Sequence, residues 1–262
     1  MSAAAPGPLA GRVALVTGVS RGGGIGAAVA RRLAGLGAGL FLQGWSEHDR
    51  RQPWGEGPAV DAALAGLAGP GRVDRVEADF LDPGAADRVV AAAVAAHGHL
   101  DVLVVNHARS GTGGLGQLTA AEIDAMLAVN VRAPLLLVQA FAAQHDGRPG
   151  GRVVLLTSGQ HLGPMPDELA YAASKGAIHQ LTASLAEALA DRGVTVNAVN
   201  PGPTDTGWAD PDTLRRVARR FPAGRWGEPD DAARLVAWLC TDDARWITGQ
   251  VIDSEGGFRR WG

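Results

Sequence analysis

The chain contains a single tyrosine, Tyr171, and a single lysine, Lys175, four residues apart. All the other basic side chains among its 24 lysines and arginines are arginine, so positive charge wanted only on a surface was met by guanidinium. A spacing of i and i+4 on a helix sends both side chains out from one face, one turn apart. A phenol ionises at a pKa of about 10, and a neighbouring ammonium favours its phenolate. The pair therefore reads as a general acid or base, Tyr171, with Lys175 lowering its pKa. Lys175 is also a compact, rotatable donor suited to a sugar hydroxyl, a task a planar guanidinium fits less well. Ser158 ends an apolar run thirteen residues before Tyr171 and is placed to hold a substrate oxygen for it, although a strand-ending serine taken alone is more often a turn residue or helix cap. Asn130 sits inside the helical stretch MLAVNVRAPLLL, a poor position for asparagine by propensity. Pro134, four residues on, has no N–H to offer the Asn130 carbonyl. That freed carbonyl can bind a water that relays protons from Lys175, the plainer alternative being a proline kink.

A second chemistry lies near the beginning of the chain. Thr17-Gly-Val-Ser-Arg-Gly-Gly-Gly-Ile-Gly26 follows an apolar run and leads into the helical pattern AAVARRL. A glycine-rich turn at a strand-to-helix junction lets backbone amides and a helix N-terminus approach a pyrophosphate. Gly18, Gly22 and Gly24 give one register; Gly18, Gly24 and Gly26 give a longer turn, preferred because Ile25 begins the apolar face of the helix. Ser20 and Arg21 lie within the turn. A carboxylate at the end of the second strand favours NAD, and a basic residue there favours the 2′-phosphate of NADP. That end reads Gln43-Gly44-Trp45-Ser46, with no acid, so Arg21 and Ser46 are expected to hold a 2′-phosphate. Arg50 and Arg51 lie close enough in sequence to help, and Glu47 and Asp49 close enough to oppose. NADP(H) is preferred over NAD(H), and nothing in the pattern asks for a metal.

These groups need a scaffold, and the periodicity supplies one. Apolar runs at Arg12 to Thr17, Gly39 to Trp45, Val73 to Ala78, Leu100 to Asn106, Arg152 to Ser158, Val194 to Asn200 and Gln250 to Asp253 alternate with alanine-rich amphipathic stretches. The helices are expected at Ile25 to Gly37, Ala85 to His97, Ala120 to Ala143, Glu168 to Asp191 and Asp230 to Cys240. The runs are too apolar for a half-exposed sheet, which predicts an α/β fold: a three-layer, doubly wound parallel sheet of about seven strands in one domain. Two stretches break the alternation. Ser46 to Pro58 is too polar and too rich in Pro and Gly for a regular element; Thr204 to Gly227, with the basic segment LRRVARRF, is expected to form a mobile substrate lid. Residues 1–8 are expected to be a loose tail. At 262 residues, 46% hydrophobic and 19% charged, the chain has material for a sizeable core. A net charge of -3 gives no reason to expect nucleic acid or an anionic membrane as partner. Cys240 has no second cysteine to bridge, and the first residues read neither as a signal peptide nor, anywhere along the chain, as an apolar run of membrane-spanning length, so a cytoplasmic protein with a small-molecule substrate is expected.

Along nearly its full length the chain resembles the short-chain dehydrogenase/reductase family, of the size and type of the 3-oxoacyl-[acyl-carrier-protein] reductases. The resemblance runs in order through the turn from Thr17, Asp79-Phe80, Asn106-His-Ala108, Asn130, Ser158, Tyr171 with Lys175, Pro201-Gly202, Thr248-Gly-Gln250 and Glu255-Gly-Gly257. It implies a Rossmann fold with a catalytic tetrad of Asn130, Ser158, Tyr171 and Lys175. It puts Asp79 and Phe80 at the adenine, Asn106 and Ala108 on the adenosine side, and Pro201, Gly202, Thr204 and Thr206 at the nicotinamide and pyrophosphate; Trp45 and Ser46, at the end of the second strand, are expected to bind the cofactor from their own position. It also implies a homotetramer, or a dimer. The chain departs from the pattern in its longer glycine turn, in His107 where a second asparagine is usual, and in the loop from Ser46 to Pro58. Gln160, His161, Met165, Trp208 and Phe258 are expected to line an apolar substrate pocket, while Arg215, Arg216, Arg219 and Arg220 can attract an acidic acyl carrier protein or form a solvated helix face. The expected reaction is reduction of a ketone or 3-oxoacyl thioester by hydride from NADPH, an activity on CH–OH donors when reversed. The alternatives are an NAD-dependent dehydrogenase of polyols or hydroxysteroids and a non-catalytic nucleotide sensor on the same fold.

Overall fold

Short runs of valine, leucine and alanine become strands because helices cover them on both sides. In the computed structural model, which describes residues 6–52, 55, 59–64 and 71–261, the strands are β1 (Val13–Val16), β2 (Gly39–Gly44), β3 (Val73–Glu77), β4 (Val102–Val105), β5 (Arg152–Leu156), β6 (Thr195–Asn200) and β7 (Val251–Asp253). They form one parallel sheet in the order β3-β2-β1-β4-β5-β6-β7. The helices are α1 (Ile25–Gly35), α2 (Ser46–Arg50), α3 (Val60–Leu64), α4 (Ala85–His97), α5 (Ala120–Leu127), α6 (Ala133–Gln144), α7 (Leu169–Ala190), α8 (Pro211–Ala218) and α9 (Pro229–Leu239). Alternate strand residues divide into two cores, as a period of two requires. Ala14, Val16, Val102, Val104 and Val154 pack with α1 and α9 on one face. Leu15, Leu103, Val105, Val153 and Leu155 pack with α4, α6 and α7 on the other. The chain winds outward from β1 to β3, then returns to β4 on the far side of β1. That reversal opens a crevice at the carboxyl ends of β1 and β4, toward which Gly18, Trp45, Asp79, Asn106, Ser158 and Pro201 are all carried.

The structure corrects the sequence reading in five places. β3, an edge strand, alternates exposed and half-buried residues, because only one neighbour and one helix layer cover it. The stretch after β2 does contain a regular element, α2, whose Glu47 pairs with Arg50 and Arg51 three and four residues on; part of the expected loop to Pro58 lies outside the described residues. Around Asn130 the helix is neither straight nor simply kinked. Ala128–Arg132 forms a π turn between α5 and α6, with the Ala133 N–H on the Ala128 carbonyl, so Pro134 is accommodated without breaking the rod. Contrary to the reading that no run is long enough, 120–144 is long and apolar enough by length and composition to cross a membrane. Its buried side packs on α4 and α7 as a core helix does. Of the expected tail, residues 1–5 lie outside the described residues, whereas Gly7 sits directly against the Leu36 carbonyl and Leu9 is fully buried.

Phe141 on α6 is among the largest fully buried side chains. Phe141→Ala is expected to lower the unfolding free energy by about 3–5 kcal/mol, read as a fall in the urea midpoint at constant slope.

Candidate active site

The crevice is a cleft of about 610 Å³. Its floor is the turn between β1 and α1. Gly18 adopts φ +72°, and a side chain there would lie 2.7–2.8 Å from His107 and Asn106. A side chain at Gly26 would lie 2.6 Å from the Gly18 carbonyl and 2.7 Å from Asn106 Nδ2, while Gly24 is the N-cap of α1. Of the glycines in the preferred register, Gly18 and Gly26 are the two where a side chain would meet backbone or Asn106 at under 3 Å. Gly26 is buried behind the turn and packs it rather than lining the cleft. The first turn of α1 carries no acidic residue and no side-chain cap, so its N–H groups and positive end face the cleft, an arrangement that fits a pyrophosphate. Gln43 holds the turn in place. Its Oε1 accepts from Gly18 N at 3.0 Å, and its Nε2 donates to the Ala78 carbonyl at 2.7 Å.

The turn is bound to β4 by one buried hydroxyl. Thr17 Oγ1 accepts from Asn106 N at 3.1 Å and His107 N at 3.3 Å, and lies 2.8 Å from His107 Nδ1. His107 Nε2 faces the Val129 carbonyl at 3.1 Å; a carbonyl only accepts, so Nε2 carries the hydrogen and Nδ1 accepts from Thr17. Burial pushes this imidazole down to about 3. Asn106 Nδ2 donates to the Thr17 and Gly18 carbonyls, 3.0 Å each. Phe80, after β3, packs on His107 with ring centroids 4.1 Å apart.

Across the cleft, α7 presents Tyr171 and Lys175 beside Ser158. Ser158 hydrogen-bonds the Tyr171 phenol. Lys175 Nζ donates to the Leu156 carbonyl at 2.8 Å and lies 5.8 Å from the Tyr171 ring centre. The expected lowering of Tyr171 by Lys175 is not realised. Burial raises the phenol to about 12, with the Ser158 hydrogen bond opposing and the Glu168 carboxylate adding to the rise. Burial likewise lowers the Lys175 amine to about 8. Asn130 is buried and is not part of the cleft wall. Its amide joins elements: Oδ1 accepts from Arg109 N at 2.7 Å, and Nδ2 donates to the Arg109 carbonyl at 2.8 Å and Ser174 Oγ at 3.0 Å.

Of the other expected residues, Ser20, Arg21, Ile25, Trp45, Asp79, Phe80, Ala108, Pro201, Gly202, Thr204, Thr206 and Trp208 line the cleft. Ser46 does not. It starts α2 and is turned to Glu77 on β3, with Oγ 2.7 Å from one carboxylate oxygen and N 2.8 Å from the other. Gln160, His161 and Met165 also lie off the cleft. His161 reaches Asp253 at 3.2 Å and the ring of His179, the Gln160 amide is buried elsewhere, and the Met165 carbonyl closes a turn on Glu168 N. Phe258 packs on Phe221. Sequence reasoning missed His48 and Gln52, which face the cleft from α2 and the turn after it, and Arg109, whose guanidinium meets the Glu122 carboxylate at 3.0 and 2.8 Å. No short-range pattern marks a pair thirteen residues apart across a loop.

Comparison with known proteins decides the family. Residues 18–259 match the family model described as enoyl-(acyl carrier protein) reductase. An uncharacterized oxidoreductase, YjdA, of Bacillus subtilis is 41% identical over 95% of this chain and 97% of its own length. The chain belongs to the short-chain dehydrogenase/reductase family. The human dehydrogenase/reductase SDR family member 4 is 36% identical, over 95% of this chain and 88% of its own. A short-chain dehydrogenase from Burkholderia cenocepacia, solved in complex with NADP, superposes with a TM-score of 0.84 at 38% identity over 95% of this chain and 98% of that one. A blue fluorescent protein from a metagenomic library, solved with NADPH, has a TM-score of 0.84 at 35% identity, covering 96% and 99%. The chain is thus an oxidoreductase with the family's seven-stranded sheet.

His107 is where this member departs from the usual asparagine, and its buried ring makes a pH test possible. An unfolded histidine takes up a proton at a pKa of about 6.5, the folded one only near 3. Between those values the unfolded state binds the extra proton, so stability falls as pH falls, by up to about 1.4 kcal/mol per pH unit from this ring. His107→Asn is expected to flatten that slope between pH 6.5 and 4 in urea titrations; an unchanged slope would return the ring to solvent.

Proposed function

We propose that this family member is an NADP(H)-dependent reductase of apolar ketones or 3-oxoacyl thioesters. The observation that carries the reading is the Tyr171 phenol, raised to about 12 by burial and hydrogen-bonded to Ser158. Such a phenol is neutral throughout the neutral range, the form needed to give a proton to a carbonyl oxygen. When bound, the nicotinamide dinucleotide supplies the hydride to the carbonyl carbon. Ser158 holds the oxygen, and Tyr171 protonates it to the secondary alcohol. Lys175, still largely ammonium near pH 7 at a pKa of about 8, lies beside the phenolate left behind, holds a ribose hydroxyl and returns the proton through water held at Asn130. Asn130 keeps Arg109 and α7 in register for this. Val129, Leu156, Pro203 and Trp208 give the substrate end its apolar wall.

Arg21 supports the phosphorylated cofactor. Its Nη2 donates to Thr206 Oγ1 at 3.4 Å and its Nε lies 3.7 Å from Asp49 on α2, so it reaches the end of the cleft after β2, where His48, Arg51 and Gln52 add donors. Two structural relatives were solved with NADPH or NADP. One observation favours a second reading, NAD-dependent oxidation of a polyol or hydroxysteroid. The Asp49 carboxylate also lines the cleft, 3.7 Å from Arg21 Nε. The reductase reading brings with it a cytoplasmic setting, a homotetramer, a lid formed by residues 204–227 and, for thioester substrates, an acyl carrier protein attracted by Arg216, Arg219 and Arg220.

Fluorescence titration of the seven tryptophans with NADPH and NADH, followed by turnover on a panel of ketones and 3-oxoacyl thioesters, tests the reading. Tighter NADPH binding with ketone reduction is the expected result; tighter NADH binding with alcohol oxidation alone would install the second reading. Tyr171→Phe is expected to abolish turnover and leave NADPH affinity within a factor of about two, since the proton and not the cofactor depends on the hydroxyl. Arg21→Ala is expected to weaken NADPH about 10–100-fold and NADH little, the effect of losing one charge-assisted contact to a phosphate.

A further inference from the structure

The segment after β7 folds back over the loops that form the substrate end of the cleft, and one side chain sits at their junction. Arg260 lies in a trough between Gly159 and Gly163. A Cβ at Gly159 would collide with Arg260 Nη2, and one at Gly163 would lie 2.7 Å from Arg260 Cδ. The guanidinium makes a two-pronged ion pair with both Glu255 oxygens and lies 5.3 Å from the Phe258 ring centre. Glu255 is buried and extends the connection. Its Oε1 accepts from Asn200 Nδ2 at 2.7 Å, and Asn200 Oδ1 accepts from Gly202 N at 3.0 Å. Gly202 sits at φ +63° with its Cβ position 2.9 Å from Glu255 Cγ. On the far side Arg259 N donates to the Arg220 carbonyl at 3.0 Å, and Phe258 packs on Phe221 at the end of the lid.

We infer that Arg260 is a positioning residue for Ser158, fixing the loop that holds the substrate oxygen through its seat on Gly159 and Gly163. That loop has few fastenings of its own. Leu162 N closes a turn on the Gly159 carbonyl, and the buried Gln160 amide has no partner among the described residues. It is tied outward by His161, which meets Asp253 on β7 and the His179 ring on α7, and by the Arg260 side chain from the segment after β7. A displacement of about 1 Å at a group that must meet a reacting oxygen is enough to cost on the order of 100-fold in rate. The ion pair with Glu255 applies the same constraint to Pro201-Gly202, so one guanidinium sets the spacing between the Ser158 loop and the Gly202 loop.

The inference rests on the reductase reading for what Ser158 does, but not for what Arg260 holds. Arg260→Met is expected to lower kcat for ketone reduction about 10–100-fold, with NADPH affinity falling by less because Asn200 still holds both Glu255 and the Gly202 amide, and Arg260→Lys to recover part of the loss. Gly159→Ala, which fills the trough, is expected to reproduce the loss, and the double variant to be no worse than either single one, because both remove one contact. Glu255→Gln with Arg260→Met removes the carboxylate that the single variant leaves buried and unpaired; the same loss in this pair shows that position, not stray charge, is responsible. Hydrogen exchange followed by mass spectrometry reads the loop without turnover: residues 158–165 are expected to exchange faster in Arg260→Met, and β1 and β4 not. Wild-type exchange at 158–165 in that variant would overturn the inference whatever the activity. If the wild-type enzyme reduces no ketone while the loop still loosens, the reductase reading falls and the positioning role stands.

Discussion

Everything in this molecule depends on the sheet reversing its winding between β1 and β4. Two adjacent parallel strands whose connections leave in opposite directions must part at their carboxyl ends, and the gap has to be held open without leaving backbone groups unpaired. The Thr17 hydroxyl meets that requirement. It satisfies two amides of the β4 exit and orients the His107 ring, which in turn donates to the Val129 carbonyl. From this stitch the glycine turn after β1, the Phe80 ring and the Asn130 segment all take their positions. An asparagine at 107 meets such a requirement with hydrogen bonds alone; the imidazole also brings an aromatic face for Phe80.

A shared physical cause acts on the titratable groups around the cleft. His107 is depressed to about 3, Lys175 to about 8 and Tyr171 raised to about 12, each chiefly by burial, which penalises the charged form whatever its sign. Near neutrality the charge beside Tyr171 is the Lys175 ammonium, and the other charged side chains of the cleft, Arg21, Asp49, Arg51, Asp79 and Arg109, stand on the segments that follow β1 to β4. A neutral acid in an apolar surround is suited to protonation, and poorly suited to extracting a proton from an alcohol.

Much of this was legible in the sequence, for reasons that differ from residue to residue. Six of the strands were readable as bounded apolar runs and β3, VDRVE, as a valine alternation at the sheet edge, and Tyr171 with Lys175 because the chain has no other tyrosine or lysine to confuse with them. Gly24 and Gly26 were placed by where the apolar face of α1 begins. Other parts depend on contacts that no local pattern encodes. Ser46 follows a strand end in the expected way, but Glu77, one strand over, draws it from the cleft. Gln160 and His161 follow Ser158 closely, yet His161 is drawn to Asp253 on β7 and to His179, and the Gln160 amide is buried off the cleft. Asn130 was noticed for its unfavourable propensity and assigned through its carbonyl; its side chain proved equally important, because its partners, Arg109 and Ser174, lie on elements whose packing only the fold reveals. The π turn is likewise a tertiary compromise between a proline and a helix that must keep its core face.

The seclusion of Lys175 has a consequence for handling the protein. It is the chain's only ε-amine, and it is 3% exposed with its basicity brought close to neutrality, while the lone thiol, Cys240, is fully buried and held protonated at about 12. The side chains to which most bioconjugation reagents are directed are therefore either inside the catalytic cleft or inside the core. Acylation of the lysine becomes a report on the cleft itself, open to small electrophiles and closed by whatever fills it, and attachment to a support has to be directed elsewhere, most readily to carboxylates or arginines.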